Sequence, residues 1–369
     1  MTPPAAPPLD LLPPESLAVR PLAQAETIPS AWYTDPRVHA FERGAVFART
    51  WQYAAHVSQL DRPGSYVTAE AAGESLILVR GRDGTVRAFY NVCRHRGGPL
   101  AMDACGHARM LQCKYHGWTY TLDGILRGVP RFDRTELFDK ADYGLVPVEV
   151  AEWEGLLFVR LEGGEGPGLE EALAGIRERI APQRLGALRF HRRDTYDVAC
   201  NWKAYVDNYL EGYHIPLVHP ELCRVLDYRA YVTETFPRYS LQHSPLRDDD
   251  GRYGDGDAFY YFVFPNTMLN VLPGRLQVNT VLPLAADRCR VVFDYCYLDP
   301  EAPGTAERIA ADVAFSDLVQ QEDVEICEHV QRGLASRGYD LGRFSPECEE
   351  GVYHFQTLVK EAYRGMLGE

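Results

Sequence analysis

The apolar and polar positions change rhythm several times along the chain, and each change marks an element. The opening residues follow no period and carry prolines at 3, 4, 7, 8, 13 and 14. Each proline fixes φ and removes an amide donor, so this stretch reads as a mobile tail. A helical patch over 35–51 follows. Short runs rich in β-branched and aromatic residues then occupy 75–80 and 85–90, flanking Arg82-Asp83-Gly84, a hairpin signal. They predict a small antiparallel β domain that closes near 155–161. The glycine-rich stretch 162–168 is the expected boundary. Beyond it, 169–180 and 202–214 read as helices, 259–293 alternates like paired strands, and 306–334 reads as one long amphipathic helix. The fold class is therefore α+β, with a tail and helix over 1–45, a β domain over 46–162 and a larger domain over 163–369.

A chain of 369 residues has room for about two domains. Its 46% hydrophobic and 24% charged content exclude wholesale disorder. The charge balance, 38 Lys+Arg against 52 Asp+Glu, gives −14. A field of that sign repels nucleic acid and anionic membranes and favours cations. The N-terminus has no signal-peptide pattern, and no stretch reaches the ~20 apolar residues of a membrane span. The nine cysteines, an odd number in a chain this long, fit a reducing compartment, so a cytoplasmic protein is expected.

Two of those cysteines stand beside histidines. Cys93-Arg-His95 is followed, after 17 intervening residues, by Cys113-Lys-Tyr-His116. Each loop thus offers one thiolate and one imidazole. A zinc finger places its two cysteines on one arm and its two histidines on the other, which this order does not match. A Rieske [2Fe-2S] cluster needs both cysteines on one iron and both histidines on the other, which two such loops supply. Gly97-Gly98-Pro99 and Gly117 permit turns that bring backbone amides close to the sulfurs. The pattern resembles the Rieske motif of the ring-hydroxylating, or Rieske non-heme iron, oxygenases. It departs from the respiratory Rieske proteins, whose loops carry an extra cysteine each; Gly98 and Tyr115 stand at those positions here.

A second constellation lies in the other half. His214 and His219 are five residues apart, ~140° around a continuous helix, so Pro216 is expected to end the helix between them. Glu211 and Asp207 fall at i−3 and i−7 from His214, on one helical face, where a carboxylate can fix a metal-bound imidazole. With Asn208 they are the catalytic candidates of this segment. Two histidines and one carboxylate leave open positions on Fe(II) for oxygen. The long helix supplies the carboxylate: Glu322 and Asp323 lie at the two edges of its apolar stripe, and periodicity does not choose between them. The family resemblance implies His214, His219 and Asp323 as ligands of a mononuclear iron. It also implies that Glu211 bridges this site to the cluster of a neighbouring subunit, through His116, in a homotrimer.

The resemblance implies a helix-grip catalytic domain, O2 as co-substrate, and NAD(P)H electrons delivered by a separate flavin/iron-sulfur reductase. Glutamate at 211 resembles the branch of the family acting on quaternary ammonium compounds. Aromatics are dense over 257–270, and such a cation is recognised through aromatic faces. Phe259, Tyr261 and Phe264, with Tyr209 and Tyr213, are the substrate-binding candidates. The expected reaction is hydroxylation leading to N-demethylation or C–N cleavage. The alternatives are oxygenation of an aromatic ring, or an electron-transfer protein with a degenerate iron site.

Overall fold

The computed structural model describes residues 6–161, 166–247 and 256–368. The chain divides into two units, one over Ala48–Leu169 and one formed by the residues up to Phe47 together with Glu170–Glu369. The residues 162–165 of the expected boundary lie outside the described residues.

The smaller unit has ten strands: β1 (Gln52–His56), β2 (Ser65–Ala71), β3 (Glu74–Arg80), β4 (Val86–Tyr90), β5 (Cys105–His107), β6 (Leu111–Gln112), β7 (Thr119–Tyr120), β8 (Leu126–Gly128), β9 (Pro147–Trp153) and β10 (Leu156–Arg160). Seven form an antiparallel sheet in the order β1-β10-β9-β4-β3-β2-β5, and β6-β7-β8 form a small second sheet. The predicted hairpin is β3–β4, paired from Leu76↔Tyr90 to Arg80↔Val86. Side chains alternate across a strand, so β3 feeds two cores. Leu76 and Leu78 pack with Leu157 and Val159, while Ile77 and Val79 pack with Cys93, Cys113, Trp118 and Tyr120. Both motif loops leave the ends of these strands.

The larger unit is a seven-stranded antiparallel sheet of β11 (Arg189–Val198), β12 (Val232–Phe236), β13 (Tyr239–Pro245), β14 (Asp257–Val263), β15 (Thr267–Leu272), β16 (Arg275–Ala285) and β17 (Arg288–Tyr297). Its order is β11-β17-β16-β15-β14-β13-β12. The helices that carry the second constellation and its supports are α1 (Pro36–Glu42), α2 (Trp202–Tyr209), α3 (Ile215–Val218), α4 (Thr305–Leu334) and α5 (Glu350–Leu367). The long helix expected over 306–334 is α4, one residue longer at its start.

Three expectations are corrected. The N-terminal stretch is no free tail from residue 6 on. Leu12, Leu17, Ile28 and Trp32 are buried, and the Ile28 amide donates to Gln356 Oε1 of α5 at 2.8 Å. Residues 1–5, with Pro3 and Pro4, lie outside the described residues. The helix over 169–180 is broken at Gly175 into Leu169–Ala172 and Ile176–Arg179. The helix over 202–214 ends at Tyr209. There the Leu210 amide is shared between the carbonyls of Val206 and Asp207, a tightened last turn. Gly212 follows, where a Cβ would stand 2.8 Å from the Tyr231 ring. Pro216 therefore does not end a helix between the histidines but occupies the first turn of a new one, where a missing N–H costs nothing.

A buried ion pair ties α1 to α2. Glu42 and Lys203 are both fully buried, with Lys203 Nζ donating to Glu42 Oε1 at 2.6 Å and Trp202 Nε1 to Oε2 at 2.8 Å; the Tyr363 hydroxyl of α5 donates to Oε1 as well. Removing one partner leaves a buried charge, at a cost of about 3–5 kcal/mol. Glu42→Leu is expected to lower stability to denaturant by that amount, and Lys203→Met added to it to restore most of the loss.

Candidate metal centres

In the smaller unit the two motif loops have the same form. The Gly97 amide donates to the Cys93 carbonyl at 3.0 Å, and the Gly117 amide to the Cys113 carbonyl at 3.1 Å. Both glycines have positive φ, +71° and +75°, which lets each loop close in one turn. Asn91 holds the first loop by accepting from the amides of Leu100 and Ala101, both at 3.0 Å. The Lys114 amide, donating to the Pro99 carbonyl at 3.0 Å, joins the two loops.

This closure brings the four motif side chains together. Cys93 and Cys113 are buried, and the His95 and His116 rings lie 4.8 Å apart, edge to face. Trp118 stacks on His95 at 4.8 Å and 11°, fixing the plane of that ring. Burial pushes the Cys93 thiol up. Two observations show that the pocket fits a metal cluster. His95 Nδ1 is buried with no hydrogen-bond partner, and a Cβ at Gly98 would stand 2.9 Å from Cys113 Sγ, so the space beside that sulfur is open only to backbone. Tyr120 adds a group that the motif does not reveal. Its oxygen accepts the Arg94 amide at 3.0 Å, which leaves its hydrogen for Cys93 Sγ at 3.2 Å. A hydrogen bond to a ligand sulfur raises a cluster's reduction potential.

In the larger unit, ligand atoms of His214, His219 and Asp323 all lie within 4.8 Å of one another, the one such group of three or more among the described residues. His219 Nε2 stands 3.0 Å and His214 Nε2 3.9 Å from Asp323 Oδ1. Each ring is held from behind. His214 Nδ1–H donates to Glu211 Oε1 and His219 Nδ1–H to Glu322 Oε2, both at 2.7 Å. A carboxylate on Nδ1 fixes the tautomer that turns the Nε2 lone pair to a metal. The geometry thus separates the two acidic neighbours of α4. Asp323 faces both Nε2 atoms, and Glu322 supports His219. Asn208 Nδ2 donates to Asp323 Oδ1 at 2.6 Å and orients that carboxylate. Two imidazoles and one carboxylate on one side are the donor set of a non-heme iron.

Asp207 does not join this group. It accepts from the Tyr33 hydroxyl at 2.5 Å and from Gln356, and burial pushes its carboxyl up to about 7. The reason is the helix end at Tyr209, which leaves Glu211 on the following turn and off the face that carries Asp207.

A cavity of about 130 Å³ adjoins the three ligands. Tyr209 lines it, with its hydroxyl donating to Asn270 Oδ1 at 2.7 Å. Phe259, Tyr261 and Phe264 do not: Phe259 packs on His243, Tyr261 faces Tyr239 and Phe264 faces Phe355. Tyr213 is 58% exposed and also stands outside it. The aromatic wall is instead Tyr205, Tyr209, Tyr231 and Tyr260, with Phe293 and Phe315. Tyr260 alternates with the expected residues on β14 and shares its face with Gln242, Asn270 and Gln277, the residues paired in register across β13 to β16. Asn270 and Gln277, each set between two apolar residues, are the sequence signal for which face is the inner one.

Both units match known protein families. The Rieske [2Fe-2S] domain family matches residues 50–146, and the ring hydroxylating alpha subunit (catalytic domain) family matches residues 185–365. The chloroplastic choline monooxygenase of Arabidopsis thaliana is 35% identical over 92% of this chain and 83% of its own length. The chain belongs to the Rieske non-heme iron oxygenases, as an α subunit. The carnitine monooxygenase oxygenase subunit of Escherichia coli (strain K12) is 32% identical over 96% of this chain and 98% of its own. The solved structure of the quaternary ammonium Rieske monooxygenase CntA in complex with L-carnitine aligns at a TM-score of 0.82 and 31% identity, over 92% of this chain and 96% of that one. The oxygenase is accordingly an oxidoreductase that uses a [2Fe-2S] cluster, a mononuclear iron and O2, works with a separate reductase and acts on a small molecule. Among its described residues no helix is long and apolar enough to cross a membrane.

Supporting carboxylates of this kind are worth 10–100-fold in metal affinity. Glu322→Ala is expected to weaken iron binding by about that factor while the [2Fe-2S] absorption stays unchanged, as read by iron titration of protein stripped of its mononuclear iron alone.

Proposed function

We propose that this oxygenase hydroxylates a carbon attached to the nitrogen of a quaternary ammonium compound. The observation that carries the reading is the cavity wall: four tyrosines, 205, 209, 231 and 260, with Phe293 and Phe315, beside the carboxylates of Glu211 and Asp323. A quaternary ammonium offers no hydrogen-bond donor, so aromatic faces and fixed negative charge are what hold it. The cation among the lining residues, Arg275, is paired with Asp312 and so does not oppose a positive ligand. The choline and carnitine monooxygenases among the relatives support the same substrate class.

Cys93, His95, Cys113 and His116 would hold the cluster that supplies electrons, and His214, His219 and Asp323 the iron that activates O2. The residues of this chain do the rest. Glu211 and Glu322 hold the two imidazoles, Asn208 holds Asp323, and the tyrosines place the N-alkyl group against the ligands. In overall balance, one C–H bond becomes C–OH and the second oxygen atom leaves as water, using two electrons and two protons. A hydroxyl on a carbon bound to cationic nitrogen collapses to an aldehyde and a tertiary amine, which is N-dealkylation.

In this reading the oxygenase is a cytoplasmic homotrimer, its nine cysteines, none of them in a disulfide, suiting a reducing compartment. Glu211 then serves twice, holding His214 and meeting His116 of the partner subunit.

A panel of choline, betaines and arenes, assayed with a matched reductase, tests the substrate class. Aldehyde and dealkylated amine in stoichiometry with O2 are expected from a quaternary ammonium compound; arene diols alone would overturn the reading. The bridging role has its own measurement. Glu211→Gln is expected to retain about three irons per chain and to slow reoxidation of the pre-reduced cluster by roughly 10–100-fold. Reoxidation at the wild-type rate would remove Glu211 from the path.

A further inference from the structure

Within the cavity stands a hydrogen-bond donor with nothing to donate to. Gln320 of α4 is 1% exposed and lines the cavity. Its Oε1 accepts the Tyr205 hydroxyl at 2.6 Å, and its Nε2 has no partner. A buried amide left unpaired is destabilising, and beside a binding cavity it points to an acceptor brought by the ligand.

The neighbouring strand reaches the same polarity by another route. Arg275 only donates, and its guanidinium donates to Asp312 and, at 2.7 Å, to Gln277 Oε1. That contact fixes the Gln277 amide. Its Nε2 then donates to Asn279 Oδ1 at 2.9 Å, so the Asn279 Nδ2 hydrogens face away from this chain of bonds. Helix and strand run in step: Asp312 meets Arg275, and Ser316 Oγ donates to Gln277 Oε1 at 3.0 Å. Four helical residues rise about 6 Å and two strand residues about 6.7 Å, so the next rung sets Gln320 against Asn279. Both line the cavity.

We propose that Asn279 Nδ2 and Gln320 Nε2 form a carboxylate subsite, and that the substrate is a zwitterion with its carboxylate a short aliphatic spacer from the quaternary nitrogen. The inference rests on reading the cavity as a quaternary ammonium site. A carboxylate only accepts, which suits two amides whose oxygens already take hydrogen bonds from Tyr205 and Gln277 and whose N–H groups face the cavity. The hydroxyl of an amino alcohol such as choline is uncharged, so the hydrogen bond it accepts from these amides is the weaker one. The spacer length follows from the register. Tyr260 and Asn279 stand two strands and two residues apart, about 12 Å between their Cα atoms, and long side chains from both ends narrow that span.

Matched pairs of ligands isolate the carboxylate: glycine betaine, carnitine and γ-butyrobetaine, each against its methyl ester, titrated calorimetrically into the holoenzyme. In the wild type at least one acid is expected to bind about tenfold or more tightly than its ester, the range of a hydrogen bond to a charged group. Gln320→Leu and Asn279→Leu are expected to weaken that acid about tenfold and leave the ester within about twofold. Gln320→Glu, which keeps the acceptor for Tyr205 and the side-chain shape, sets carboxylate against carboxylate, so the acid drops below its ester. That variant decides the matter if a leucine variant fails to fold. Equal binding of acid and ester by the wild type, or equal weakening of both in the variants, overturns the subsite while leaving the quaternary ammonium reading standing. Failure of every acid and every ester to bind overturns both.

Discussion

Two imidazole rings point at one carboxylate only when each is gripped on its far side, and in this oxygenase a second carboxylate does the gripping each time. Glu211 takes Nδ1 of His214 and Glu322 takes Nδ1 of His219, both at 2.7 Å. Without those contacts either ring is free to flip or to change tautomer, and the Nε2 atoms lose their common target. The two supports come from different places. Glu211 reaches His214 from three residues upstream, across the turn that ends α2, while Glu322 reaches His219 from more than a hundred residues downstream. The site therefore exists only when α4 is docked against the α2–α3 turn.

That makes α4 the ruler of the site. Along one rod it carries Asp312 against Arg275, Ser316 against Gln277, Gln320 beneath Tyr205, Glu322 behind His219 and Asp323 in front of both histidines. Because a helix and a strand advance at nearly matched steps of four and two residues, these contacts form a ladder with fixed spacing. A rigid ruler of this kind sets where a substrate's ends fall relative to the ligands, which loops alone do poorly.

Much of this is legible in the sequence. The cluster motif announces itself because only one common cofactor takes a cysteine and a histidine from each of two loops. The apolar stripe of the long helix places it to within one residue. Other features are hidden for identifiable reasons. The end of α2 at Tyr209 has no strong breaker at the break itself; Gly212 and Pro216 lie just beyond it, and the tight approach of Tyr231 to Gly212 is a tertiary contact. The phase of β14 cannot be read from its own residues, since 258–264 are apolar or aromatic on both faces and a period of two then carries no sign. The neighbouring strands hold the sign, in Asn270, Gln277 and Asn279. The proline-rich start misleads because φ restriction marks an irregular backbone, not an unpacked one. Leu12, Leu17 and Ile28 are buried there. Tyr120 and Glu322 act through long-range contacts that no local spacing encodes.

The division of the chain has a consequence in time. The larger unit is built from both ends of the sequence, with the cluster-bearing unit inserted between them. During synthesis, Ala48–Leu169 is complete while the segment up to Phe47 still waits for its partners. Glu42 must find Lys203, 161 residues further on, and then Tyr363, 321 residues further on. Domains fold as they emerge, N-terminal portions first. The order of synthesis thus completes the residues of the electron-carrying unit before the chain owns a site at which oxygen can be activated.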